Sequence, residues 1–248
     1  MHVGMQLVQA GDADGFVTAG NTGAVLAIAT LYTLRRIRGV KRPALTAIFP
    51  NLAGQTIAAD IGANADCRPE YLAQFAVMAS LYAERALGMS HPRVALLSNG
   101  EEEGKGNELV KSTIPVMKDL SLNYVGNMEP KEVLNGETDI IIHDGFTGNI
   151  LIKSIEATAS MVSKLIRNEI KASPLTSMGG LLAKPAFRRV QKRTDPFEIG
   201  GAPLLGVSGV VIIGHGRSND IAIKNGIRQA RQAIQGNIIE AIRDGLAG

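Results

Sequence analysis

Tryptophan is missing from this chain of 248 residues, and cysteine occurs once, at Cys67. A single thiol forms no internal disulfide, so burial and hydrogen bonding hold the fold, and the chain suits a reducing cytoplasm. Long apolar runs are missing too: "GVVIIG" and "DIIIH" are strand-sized, far below the roughly 20 residues that span a bilayer. The N-terminus lacks a basic-then-apolar leader, so nothing in it directs export. Charge of one sign is scarce as well. Twenty-six basic against 23 acidic residues give a formal +3, without the excess that marks a nucleic-acid binder. No glycine pattern matches the dinucleotide fingerprint or the P-loop, which argues against a bound dinucleotide or nucleoside triphosphate. No metal or other cofactor is expected; the run Glu101 to Glu103 reads as a solvated loop.

What remains is an aliphatic chain, 45% hydrophobic and 20% charged, long enough to bury a large core. Apolar runs bounded by Gly and Pro alternate with helically spaced segments. "VGMQLVQAG" predicts a helix, "GFVTA" a strand, and "NTGAVLAIATLYTLRRIRG" a helix ending in a basic turn. "RPALTAIFP" and "QTIAADIG" read as strands, followed by the helix "RPEYLAQFAVMASLYAERALG" and the strand "PRVALLS". After a helix through about Leu120 come "LNYVGN", the strand "TDIIIH", the long helix "ILIKSIEATASMVSKLIRNEIKA", the strand "GVVIIGHG" and a last helix from Ser218. This alternation predicts one α/β domain over residues 1–248: three α/β/α layers around a mainly parallel sheet. The chain opens on a helix that feeds a strand, without a leading βα unit.

In such sheets ligands bind beyond the carboxyl ends of strands, against helix N-termini. Four corners have the right residues: "AGNTG" (19–23), "DIGAN" (60–64), "DGFTGN" (144–149) and "GHGRSN" (214–219). Each alone reads as an ordinary helix cap. Four at the ends of successive strands point to one shared crevice, with Gly, Asn and Thr forming a cradle for phosphate or an oxyanion. Candidate substrate-binding residues are Gly20, Asn21, Thr22, Gly23, Asn64, Asp144, Thr147, Gly148 and Lys153, with Lys105, His215 and Asn149 as candidate catalytic groups. Lys105, among glycines, is placed to meet a developing negative charge, or is simply solvated. His215, between two glycines, is suited to orient an anion or protonate a leaving group, or is structural. His143 reads as a packing or capping residue, and Cys67 as a buried thiol.

Residues 173–196 form a separate feature, an inserted basic excursion with no acid between Ser173 and Thr194. Leu182, Ala186 and Val190 recur at helical spacing beside Phe187, opposite Lys184, Arg188 and Lys192, with Arg189 and Arg193 adding charge. The pattern predicts an amphipathic cationic helix, limited by Pro185, that either meets an anionic membrane or acidic partner or packs on the core.

Together, "AGNTGA", "RPAL", "DIGANADCRPEYLAQFAVM", "PRVALLSNGEEEGKGNE", "DGFTGNILIKSIE", "GGAPLLG" and "GHGRSNDIAIKNGIRQA" resemble the PlsX family, the phosphate acyltransferases of bacterial phospholipid synthesis. The resemblance covers nearly the whole chain, in order. It implies transfer of a fatty acyl group from acyl carrier protein to inorganic phosphate, giving acyl phosphate. It also implies a Rossmann-like fold related to phosphotransacetylases and isopropylmalate dehydrogenases, a homodimer, and a cytoplasmic protein that visits the membrane. Leu182, Lys184, Phe187, Arg188, Arg189 and Lys192 would then dock membrane or carrier. The family's glycine-rich "GGD" opening has no counterpart here. A phosphotransacetylase-type enzyme using short acyl-coenzyme A and a non-catalytic scaffold are the alternatives.

Overall fold

The computed structural model describes residues 1–247, apart from the side chain of Pro196. The first half runs α1 (His2–Ala10), β1 (Gly15–Thr18), α2 (Thr22–Ala27) with a π-helical continuation (Ile28–Tyr32), β2 (Ala44–Pro50), β3 (Gln55–Ala59), α3 (Pro69–Leu87) and β4 (Arg93–Leu97). The second runs α4 (Glu108–Lys118), β5 (Asn123–Met128), α5 (Pro130–Asn135), β6 (Ile140–Ile142), α6 (Gly145–Lys171), α7 (Pro174–Thr194) and α8 (Pro196–Ile199). It closes with β7 (Ala202–Leu205), β8 (Val210–Ile213), α9 (Asp220–Gln235) and α10 (Ile238–Gly245).

The eight strands form one sheet in the order β1-β8-β7-β2-β3-β6-β4-β5. Neighbours are parallel in four pairs, β1 with β8, β3 with β6, β6 with β4, and β4 with β5. β7 runs antiparallel to both β8 and β2, and β2 antiparallel to β3. The three-layer, mainly parallel architecture is therefore present.

Strands buried on both faces explain the near-continuous apolar runs. Ile140, Ile141 and Ile142 are each fully buried, pointing alternately into two cores. One core unites Ile57, Val94 and Ile140 with α3, α4, α9 and α10; on the other face Val25, Leu45 and Val211 pack with α1, and Phe49, Ala95 and Ile141 pack with α5 and the start of α6. α3 is the central helix. Pro69 sits in its first turn, where a missing N–H costs nothing, and Gly88 closes it in a left-handed cap at φ 70°. Its buried Leu72, Phe75, Ala79 and Tyr82 follow helical spacing, each large side chain contributing about 1.5–3 kcal/mol.

The short helices α5 and α8 were not expected, and three further differences bear on the site. β7 was not anticipated, because four residues containing Pro203 carry almost no strand signal. The helix after β1 stops at Tyr32, short of the basic residues, since Thr33 closes onto the Ile28 carbonyl and Arg35 turns the chain at φ 63°. α7 runs straight through Pro185 to Thr194, and it packs on α6 rather than on the core. The pair forms a helical hairpin whose far turns are almost wholly exposed.

Candidate active site

At one edge of the sheet β1 and β8 end side by side, and Gly214 N donates to Thr18 O at 2.6 Å. This abuts the "AGNTG" and "GHGRSN" corners. Asn21 Oδ1 caps α2 by accepting from Ala24 N at 3.0 Å, and Asn219 Oδ1 caps α9 by accepting from Ala222 N at 2.9 Å. Thr22 and Gly23 lie exposed in the first turn, where amides have no intrahelical acceptor and carry the positive end of the helix dipole. His215 is exposed, and its Nδ1 accepts from Arg217 N at 3.2 Å. The neutral ring therefore keeps its hydrogen on Nε2. Beside Gly214, the Ser218 hydroxyl is shielded from water and has no hydrogen-bond partner among the described residues.

The "DIGAN" and "DGFTGN" corners meet at the opposite edge. Asp60 is fully buried, and its carboxylate accepts from the amides of Leu45, Gly62, Ala63 and Asn64 at 2.7–3.1 Å and from Asn64 Nδ2 at 2.9 Å. Burial pushes its pKa up against the opposing pull of those hydrogen bonds. Asn64 Nδ2 also donates to Pro43 O at 2.7 Å, so both its hydrogens are used. Asp144 caps α6 through Thr147 N and Oγ1 at 2.7 and 2.8 Å, and Asn149 Nδ2 donates to Ile61 O at 3.0 Å. Gly148 has no room for a side chain, since a Cβ would overlap Asp60 O and the His143 ring. His143 is structural, as expected: its Nδ1 donates to Asp144 O at 3.1 Å, and burial holds its pKa below the ordinary value. Burial, reinforced by the Asp60 and Asp144 charges, pushes the Cys67 thiol up to about 12, which leaves it protonated and unsuited to attack. Lys105 and Lys153 are exposed. Glu103 pairs with Lys118 at 2.6 Å, and no cluster of metal-ligating side chains occurs among the described residues.

The four corners thus form two groups instead of one crevice. Gly20, Asn21, Thr22, Gly23 and His215 come together at one edge; Asn64, Lys105, Asp144, Thr147, Gly148, Asn149 and Lys153 belong to the other. The reversals at β7 and in the β2–β3 hairpin cause the split. They leave β1 and β8 pointing opposite to β3, β6 and β4. On α7, Leu182 is 80% exposed, Phe187 42% and Val190 61%, so its apolar stripe faces away from the core. Two features inside motifs named above receive no role from sequence. One is Asp60 of the "DIGAN" corner, a lone acid ending a buried strand. The other is the basic loop Arg35–Arg42, which lines a cleft of about 840 Å³; its signal was the lack of any acid from Gly15 to Ala59.

Residues 1–241 match the protein family described as fatty acid synthesis protein. Over 245 residues the chain is 46% identical to a phosphate acyltransferase of Elusimicrobium minutum, covering 99% of this chain and 72% of the relative. The chain belongs to the phosphate acyltransferase family. A second family member, from Carboxydothermus hydrogenoformans, is 46% identical over 98% of this chain and 73% of its own length. A third phosphate acyltransferase, from Acidobacterium capsulatum, is 48% identical over 94% and 68%. Among solved structures, a phosphotransacetylase from Streptococcus pyogenes superposes with a TM-score of 0.61 at 20% identity, over 94% of this chain and 67% of that one. A branched-chain phosphotransacylase from Enterococcus faecalis gives 0.55 at 15% identity, over 93% and 77%. At such identities these neighbours speak to the fold of the phosphate acyltransferase chain and not to its substrates.

Proposed function

We propose that the chain transfers a fatty acyl group from acyl carrier protein to inorganic phosphate, forming acyl phosphate for phospholipid synthesis. The observation that carries this reading is the 46–48% identity to phosphate acyltransferases over 94–99% of the chain. The β1–β8 edge is the assigned transfer site. Exposed amides of Thr22 and Gly23 receive the phosphate, and His215 Nε2–H donates to one of its oxygens. A phosphate oxygen attacks the thioester carbonyl, the tetrahedral oxyanion collapses with cleavage of the C–S bond, and the hydrogen phosphate proton leaves with the thiol. No covalent enzyme intermediate is required; positioning supplies the rate. Lys105 and Asn149, on the other edge, take no part in this scheme.

The exposed apolar hairpin supports two further assignments, a homodimer and peripheral contact with the membrane. Leu175 and Met178, 74% and 61% exposed, lie near the α6–α7 turn, and Lys184, Arg188, Arg189 and Lys192 follow on α7. No helix among the described residues is long and apolar enough to cross a bilayer.

Hydroxylamine trapping of acyl phosphate, with acyl carrier and acyl-coenzyme A offered separately, tests the reaction. Acyl hydroxamate from the carrier donor and phosphate is expected, and His215→Ala should raise the KM for phosphate by roughly 10- to 100-fold. Product from acyl-coenzyme A alone would favour a phosphotransacetylase reaction, and unchanged phosphate kinetics would remove His215 from the site.

A further inference from the structure

The loop between the π-helical turn and β2 alternates buried apolar anchors with exposed cations. Leu34, Ile37 and Val40 are 1–5% exposed, whereas Arg35, Arg36, Arg38, Lys41 and Arg42 all face solvent. None of the five cations has a carboxylate within salt-bridge distance among the described residues. No acidic residue lines the cleft they border, whose wall includes Leu31 and Tyr71.

The loop backbone is fixed from two sides. Ile37 N donates to Gly206 O at 3.0 Å, Ser208 N donates to Arg35 O at 3.0 Å, and Arg36 bridges to Val207. From α3, Gln74 accepts from Lys41 N at 2.8 Å and donates to Gly39 O at 2.9 Å. Arg42 stacks over Tyr71 at 5.8 Å. Such a frame presents charge with little ordering cost on binding. Five cation heads spread along an open cleft with an apolar wall suit an extended acidic, amphipathic surface better than one small anion, which needs converging donors.

We propose that this loop is the docking face for the acidic carrier protein that brings the acyl group, an inference that rests on the carrier as donor. The cleft is lined by Leu26, Thr30 and Leu31, the far end of the helix that starts at Thr22. At 1.5 Å per residue Leu26 lies about 6 Å and Leu31 about 14 Å along the helix from Thr22, a span for a flexible prosthetic arm.

The test is the variant Arg36→Glu, Lys41→Glu with Arg38→Glu, all exposed and distant from the transfer site. Its thermal unfolding should match wild type. The KM for acyl carrier should rise at least about tenfold at low salt, while the KM for phosphate and turnover of a carrier-free acyl-pantetheine thioester stay within about twofold. An unchanged carrier KM overturns the docking assignment. So does an equal loss with acyl-pantetheine or a raised phosphate KM, which would make the cleft a small-anion site. If wild type fails to turn over acyl carrier, the proposed donor is wrong; anisotropy with fluorescent holo-carrier then decides the cleft. Binding by wild type and not by the variant sustains docking, and equal binding or none by either ends it. A variant that loses phosphatidylglycerol vesicles and keeps carrier affinity assigns the loop to the bilayer and also overturns the proposal.

Discussion

Cys67 shows how position sets chemistry for one side chain. It lies 3.6 Å from the Asn64 carbonyl, half-buried near Asp60 and Asp144, and its raised pKa keeps the sulfur as a thiol through the neutral range. Cys67→Ala should leave acyl phosphate formation within about twofold, and iodoacetamide should label wild type far more slowly than free glutathione. Rapid alkylation that abolishes turnover would contradict this. From sequence alone the packing role of His143 was legible, because it ends the apolar run Ile140–Ile142; Cys67, expected as a buried thiol, is only half-buried between the exposed Asp66 and Arg68. The use of Asn149 was not legible: an Asn after a glycine reads the same whether its amide faces a ligand or, as here, the carbonyl of Ile61, 88 positions away in the chain.

Elements are held together by few strong polar contacts, of which Arg93 with Asp139 is the clearest. Arg93 opens β4 and Asp139 precedes β6; the guanidinium reaches both carboxylate oxygens at 2.9–3.0 Å while Arg93 N donates to Asp139 Oδ2 at 2.8 Å. Burial alone would raise the Asp139 carboxyl, but the hydrogen bonds and charge of Arg93 outweigh it and hold the pKa below its usual value. A depressed carboxylate stabilises the fold above its unfolded pKa, and that contribution is lost as pH falls through the native value. Asp139→Asn should therefore lower stability by about 1 kcal/mol at pH 7, since both groups are partly solvated. The gap should close on titration from about pH 4 downward; denaturant melts showing a gap that widens in acid would refute the assignment. Most elements could be read from periodicity. β7 could not, and α7 ran further than Pro185 suggested, because the hairpin partner α6 and the capping box of Ser173 with Thr176 support it.

At the scale of the molecule, the α6–α7 hairpin stands out from a sheet already covered on both faces. Replacing Arg188, Arg189 and Lys192 by Gln should weaken binding to anionic vesicles roughly a hundredfold at low salt, at about 1 kcal/mol per cation. The effect should fade as salt screens it, with the melting temperature nearly unchanged. Sedimentation with vesicles is the measurement, and undiminished, salt-insensitive binding would exclude these cations from the membrane face.

Sequence by itself determined what local pattern can encode: the three layers, the helix caps, the buried strands, the family, and the cationic character of α7. These depend on residues a few positions apart, where periodicity and capping chemistry act. The direction of each strand was decided only in three dimensions. Pairing in a sheet is chosen by distant partners, and one unanticipated four-residue strand, β7, with the β2–β3 hairpin, was enough to send two sets of similar corners to opposite edges. The same pairing set the basic loop against the β7–β8 turn and fixed its five cations on one surface.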